Sequence, residues 1–208
     1  ELVDYVAGHS LGEYSALAAT NSISLFDAAK LLRLRGESMQ AAVPVGNGAM
    51  AALLGADMDV VTKLVNEASK IGICEIANDN APGQIVISGE ATAVNEAIDM
   101  SSGFGVKKAM SLPVSAPFHC ELIKNASIKL KDEIANQKFN NFVFPLYSNV
   151  TAEHCNSKTI KDLLVKQIIS RVKWRESVEN MIRDGINCFI EIGPGNVLTN
   201  LIKRINKE

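Results

Sequence analysis

The sequence predicts an α/β fold, a core with a parallel sheet flanked by helices and a second, smaller sheet-bearing lobe inserted into it, and three observations carry that reading. Short apolar runs alternate with segments of helical periodicity towards both ends of the chain. Between them, from Gly48 to about Val114, the order changes to strand, helix, strand, strand, helix, strand, the split arrangement of a ferredoxin-like lobe. Pro44, Gly46 and Gly48 break the helical pattern where that lobe begins.

In order, Leu2 to Ala7 reads as a strand closed by Gly8, and from Leu11 a helix follows with Leu11, Tyr14 and Leu17 on one face. Ser24 opens a second helix running to about Gln40, with Asp27 completing a capping box. The lobe reads as strand Ala49 to Leu54, helix Met58 to Lys70, strands Ile73 to Ala77 and Gln84 to Ser88, helix Ala91 to Met100 and strand Lys107 to Leu112. Beyond Pro117 come a helix from Cys120 to Gln137, a strand from Phe142 to Ser148, helices around Ile160 to Ser170 and Trp174 to Arg183, a strand from Cys188 to Ile192 and a last helix from Asn196. Residues 1–46 and 115–208 therefore form one discontinuous core, and residues 47–114 the lobe.

Composition narrows the function classes. The 208 residues are 47% hydrophobic and 21% charged, with a net charge of -2, so no strong field favours nucleic acid or an anionic membrane. No apolar run approaches the ~20 residues that span a bilayer, and Glu1 to Tyr5 lack the basic-then-apolar pattern of a signal peptide. Cys74, Cys120, Cys155 and Cys188 are far apart and lack metal-ligand spacing, which predicts free thiols in a reducing, cytoplasmic compartment rather than disulfides or a metal site.

Gly8-His9-Ser10-Leu11-Gly12 fits the G-x-S-x-G pattern in its required setting between a strand and a helix. A side chain at either glycine is expected to clash in so tight a turn, which pushes Ser10 out as a nucleophile. The Leu11 amide, at the helix start, is the candidate oxyanion donor. His9, next to Ser10, is open between packing and substrate contact.

On the second helix the apolar stripe of Leu25, Ala28, Leu32 and Met39 has Arg35 at its centre, taking ~100° per residue, while Lys30, Arg33 and Glu37 face away. An inward guanidinium needs an anion. That anion is either an internal carboxylate or a substrate carboxylate held by the guanidinium fork.

His119 lies where a strand ends and a helix begins, the edge at which open α/β sheets place their sites. Of the three histidines, His9 is too close in sequence to serve Ser10 and His154 sits in a polar stretch, Thr151 to Lys158, read as a solvated loop. His119 is left as the candidate base.

These residues resemble, in order, the landmarks of malonyl-CoA:acyl carrier protein transacylases: Gly8-His9-Ser10-Leu11-Gly12-Glu13-Tyr14-Ser15-Ala16, Arg35-Gly36, Ala81-Pro82-Gly83-Gln84, Pro117-Phe118-His119-Cys120 and Glu191-Ile192-Gly193-Pro194-Gly195. The resemblance implies an α/β-hydrolase-like core with an inserted ferredoxin-like lobe. It makes Ser10 the residue that is malonylated, His119 its base and acid, Arg35 the seat of the free malonyl carboxylate, and Gln167 the residue whose backbone carbonyl orients the histidine. Phe118 resembles the residue found there in malonyl-selective relatives. The implied partners are malonyl-CoA and phosphopantetheinylated acyl carrier protein in fatty-acid biosynthesis, with no metal, cofactor, nucleic acid or membrane. The family's glycine-rich Gly-Gln-Gly segment, which supplies a second oxyanion amide and the first core strand, has no counterpart in these residues. Either the chain is therefore expected to be truncated at its amino end, or that part is expected to be a separate polypeptide. Two other functions share part of the pattern: a serine esterase of the lipase type, which has the elbow, and a non-catalytic carrier-binding fragment. The basic pairs Lys107-Lys108 and Lys203-Arg204 are open between carrier docking and ordinary solvated surface.

Overall fold

The computed structural model describes residues 3–207, so Glu1, Leu2 and Glu208, the first two expected before or within the opening strand, lie outside the described residues. The chain is an α/β protein with two sheets, one mixed and one antiparallel throughout. The first strand, β1 (Val6–Ala7), pairs in parallel with β6 (Leu146–Tyr147), and β7 (His154–Cys155) closes antiparallel on β6. This sheet is mixed rather than parallel throughout. The helices α1 (Gly12–Ala19), α2 (Leu25–Ala41), α5 (Lys124–Asn136) and α6 (Ile160–Gln167) pack around an apolar core that includes Tyr14, Leu17, Leu31, Ile123, Leu130 and Leu146. The Ser24 hydroxyl caps α2 by accepting from the Asp27 amide at 3.0 Å.

The second sheet has the order β3 (Cys74–Ala81), β4 (Gln84–Glu90), β2 (Gly48–Leu54), β5 (Lys108–Ser111), with every neighbouring pair antiparallel. Two helices, α3 (Met58–Ala68) and α4 (Ala91–Met100), cover it and bury a separate apolar cluster around Leu53, Val61, Leu64 and Ile87. Asp57 caps α3 through its side chain, accepting from the Val60 amide at 2.9 Å.

The strand β3 runs past its expected end at Ala77. Register shifts between Ile76 and Asn78 and between Asp79 and Ala81 turn its far end onto the core, where Asn78 bridges Val172 in parallel. There Asp79, almost fully buried, accepts from Arg175 at the head of α7 (Trp174–Arg183) at 2.7 to 3.1 Å. The two sheets are thus fastened together beside the cleft they enclose.

Two expected strands are shorter or absent. Of Phe142 to Ser148 only the last part ladders, because the amides of Val143 and Phe144 bond to Thr20 at the end of α1. Cys188 to Ile192 pairs with no strand among the described residues, and Ile192 is 94% exposed. Instead the Glu191 carboxylate accepts from the amides of Leu198 and Thr199 and caps the last helix, α8 (Val197–Ile205). Among the described residues no helix is long and apolar enough to cross a membrane.

Candidate active site

The site forms where β1 turns into α1. A side chain at Gly8 is impossible, since a Cβ there would lie 2.0 Å from the Gly12 carbonyl. The expectation of a clash at both glycines fails at Gly12, where a Cβ would meet nothing within 4 Å. Ser10 adopts φ 52, left-handed backbone that a residue with a Cβ holds only under restraint. Asn149, just past β6, supplies the restraint: its Oδ1 accepts from the Ser10 amide at 2.6 Å and its Nδ2 donates to the Gly8 carbonyl at 2.7 Å.

His119 is also left-handed, at φ 60, and is buried in the loop between β5 and α5. Its Nδ1 lies 2.9 Å from the Gln167 backbone carbonyl. A carbonyl can only accept, so Nδ1 carries the hydrogen and Nε2 is left to accept from the Ser10 hydroxyl, 2.7 Å away. Burial, and secondarily the positive charge of Arg35, lowers the imidazole pKa to about 3, so the ring is a neutral acceptor at physiological pH.

Arg35 points inward from α2 and is 6% exposed. Its Nη2 donates to the Ser10 hydroxyl at 3.0 Å and to the Gln167 side-chain oxygen at 3.1 Å, and its guanidinium carbon stands 5.9 Å over the Tyr14 ring. Among the described residues no carboxylate pairs with it directly and its Nε has no partner. Leu25, expected on the same buried stripe, is 79% exposed, and Leu31 takes its place.

The structure therefore brings Ser10, His119, Arg35 and Gln167 into one bonded group. Leu11 lies at the rim with its side chain exposed and its amide without an acceptor among the described residues. The cleft over the group is about 680 Å³, with Met39 from α2, Met50 from β2, Leu112 just past β5 and Phe118 from the following loop making an apolar wall. His9 does double duty. Its Nε2 bonds the Asn80 side chain at 2.8 Å, its ring packs on Trp174 at 5.7 Å, and it also borders the cleft. His154, expected in a loop, lies on β7 but is exposed as anticipated, and Lys107, Lys108, Lys203 and Arg204 are all exposed.

Two residues escaped the sequence reading. Asn149 carries a signal that was available, being a polar residue at the carboxyl end of an expected strand. Glu13 is 1% exposed and shares its helix face with Ala16 and Leu17, the same pattern that singled out Arg35.

A serine held out on a strand-turn-helix elbow, a neutral imidazole bonded to it and a buried guanidinium without a carboxylate can together transfer an acyl group from a substrate that carries an anion. The class agrees with comparison to known proteins: the family model described as an acyl transferase domain matches residues 3–208, and the chain belongs to that family. It is 45% identical over 206 residues to the malonyl CoA-acyl carrier protein transacylase of Bacillus subtilis, an alignment covering 98% of this chain and 65% of that relative. Among solved structures it superposes on the acyl-carrier-protein-S-malonyltransferase of Bartonella henselae with a TM-score of 0.96 at 49% identity, covering 99% of this chain and 66% of that one. It matches equally well a malonyl-transacylase solved in complex with a type II PKS acyl-carrier protein, with a TM-score of 0.97 at 40% identity, covering 100% of this chain and 67% of that one. The chain thus spans about two thirds of the length of these relatives.

Proposed function

We propose that this chain carries the reaction centre of a malonyl-CoA:acyl carrier protein transacylase, with Ser10 as nucleophile, His119 as base and acid, Arg35 as carboxylate seat, Gln167 as orienting carbonyl and Leu11 as oxyanion donor. The observation that carries the reading is the Arg35 guanidinium, buried 3.0 Å from the Ser10 hydroxyl and unpaired by any carboxylate among the described residues. A buried charge left in that state favours an incoming anion, and a malonyl thioester supplies one a single methylene away from its reacting carbonyl. A neutral-ester hydrolase leaves that charge without a task.

In the first half-reaction the Ser10 oxygen attacks the thioester carbonyl while its proton passes to His119 Nε2, and the oxyanion forms beside the Leu11 amide. Collapse expels the coenzyme A thiolate, which takes the proton from His119. In the second, the phosphopantetheine thiol of the carrier gives its proton to His119 and attacks the malonyl-serine ester, and His119 returns the proton to the Ser10 oxygen as it leaves. The apolar wall suits a slender, uncharged pantetheine arm. No step calls on a metal or an added cofactor.

The fold reading that goes with this function is an α/β-hydrolase-like core from residues 1–46 and 115–208 and a ferredoxin-like lobe from residues 47–114. The strand order of the second sheet and its two covering helices support the lobe. Incubation with malonyl-CoA followed by intact-mass and peptide analysis is expected to give a malonyl adduct on Ser10. Retention of that adduct in Ser10→Ala overturns the assignment.

A further inference from the structure

Resting on the reading above, one buried group near the site has no part in the chemistry so far. The Glu13 carboxylate receives donors from distant parts of the chain: the Asn149 amide at 3.1 Å on one oxygen, the Gln167 side-chain Nε2 at 2.5 Å on the other, and the Ser148 side chain. Two of these residues hold reacting groups. Asn149 fixes the Ser10 turn, and Gln167 gives its backbone carbonyl to His119 and its side-chain oxygen to Arg35.

A glutamine side chain has two ends of opposite polarity. At position 167 the nitrogen end donates to Glu13 and to the Ser10 carbonyl at 2.9 Å, and the oxygen end accepts from Arg35. Reversing the amide would set a nitrogen against the guanidinium and an oxygen against the Ser10 carbonyl. An ionised carboxylate at position 13 can only accept, so it forbids the reversal.

We infer that Glu13 is a positioning residue, an acceptor-only anchor that fixes the Gln167 amide with its oxygen towards Arg35 and so sets the guanidinium for a substrate carboxylate. It touches neither substrate nor reacting atoms and acts through Gln167. Burial raises its pKa from 4.5 to about 7, against the opposing hydrogen bonds from Asn149, Gln167 and Ser148 and the positive charge of Arg35 on α2. The other titratable groups facing it are Tyr14 on its own helix, Cys155 on β7 and, beyond Gln167, His119. A carboxylate with a raised folded pKa contributes its full share of stability below 4.5 and loses it as pH rises through about 7. Glutamine at this position does not titrate.

The test is kinetic and uses Glu13→Gln, Gln167→Leu and the double variant, with malonyl-CoA and acetyl-CoA as donors and thermal melts alongside, all at pH 8, where the Glu13 carboxylate is ionised. Gln167→Leu keeps the backbone carbonyl that His119 needs. Glu13→Gln is expected to melt no lower than the unaltered protein at pH 8, yet to raise KM for malonyl-CoA and reduce the malonyl-to-acetyl ratio of kcat/KM about tenfold or more. In the Gln167→Leu background the same change is expected to move that ratio less than twofold, because both substitutions break one chain of contacts. Equal losses on both donors, or full additivity in the double variant, overturn the inference. If Ser10 of the unaltered protein takes up no malonyl group, the acyl-transfer reading and this inference fall together; if it does and Glu13→Gln keeps the ratio, the inference alone falls.

Discussion

Replacing Arg35 by alanine separates a substrate seat from a structural charge. The guanidinium donates to two neutral oxygens, those of Ser10 and Gln167. A malonyl carboxylate would take up its fork with two charge-assisted bonds, each contributing about 1.5–3 kcal/mol. Losing both removes about 3–6 kcal/mol from the malonyl transition state, or roughly 10²- to 10⁴-fold in kcat/KM. Acetyl-CoA has no carboxylate to lose, and the change also removes a buried cation that nothing in the acetyl complex would neutralise. Acetyl transfer is therefore expected to stay within about threefold of its starting value or to rise. The assay is transfer from each thioester to a phosphopantetheinylated carrier, followed by intact mass over a series of donor concentrations. A parallel fall on both donors refutes the reasoning and makes Arg35 a structural residue.

Three further outcomes follow from the geometry. His119→Ala is expected to slow malonylation of Ser10 by roughly 10³-fold or more, measured as adduct formation under single-turnover conditions. Nitrogen NMR of the imidazole is expected to show a neutral, Nδ1-protonated ring from pH 8 down to pH 5, since burial holds its pKa near 3 rather than 6.5; an imidazolium at pH 6 contradicts this. Because the folded state disfavours protonation of that ring, its contribution to stability declines as pH falls below 6.5 towards 3. Arg175→Ala strands the buried Asp79 carboxylate, with an expected loss of about 3–5 kcal/mol in chemical denaturation, and the Asp79→Ala, Arg175→Ala double variant is expected to recover part of it. A double variant less stable than Arg175→Ala argues against the ion pair as the cause.

Much of the site could be read without coordinates because its parts violate local rules. Arg35 stands on an apolar stripe, and Ser10 sits between two glycines on a strand-to-helix turn. The element order of the second sheet was legible too, since its strands and helices differ sharply in periodicity. What stayed hidden depends on pairing across distance. Asn78, Asp79 and Asn80 look like a turn, and they extend β3 only because Val172 and Arg175 meet them from another part of the chain. Cys188 to Ile192 has strand composition, but composition cannot supply a neighbour to pair with. Glu13 looked like an ordinary acidic residue in a first helical turn until donors 136 and 154 positions away were placed against it.

The cleft wall draws Met50 from one sheet and Met39 from a helix packed on the other, and the two layers are joined beside it by the Asn78–Val172 bridge, the Arg175–Asp79 pair, the His9–Asn80 bond and the packing of Ala81 against Tyr147 and Trp174. Turnover is thus a report on docking as much as on chemistry. On heating, or in rising urea, catalysis should disappear no later than the helical circular dichroism, because separating the two sheets dismantles the acyl channel whether or not either layer has melted.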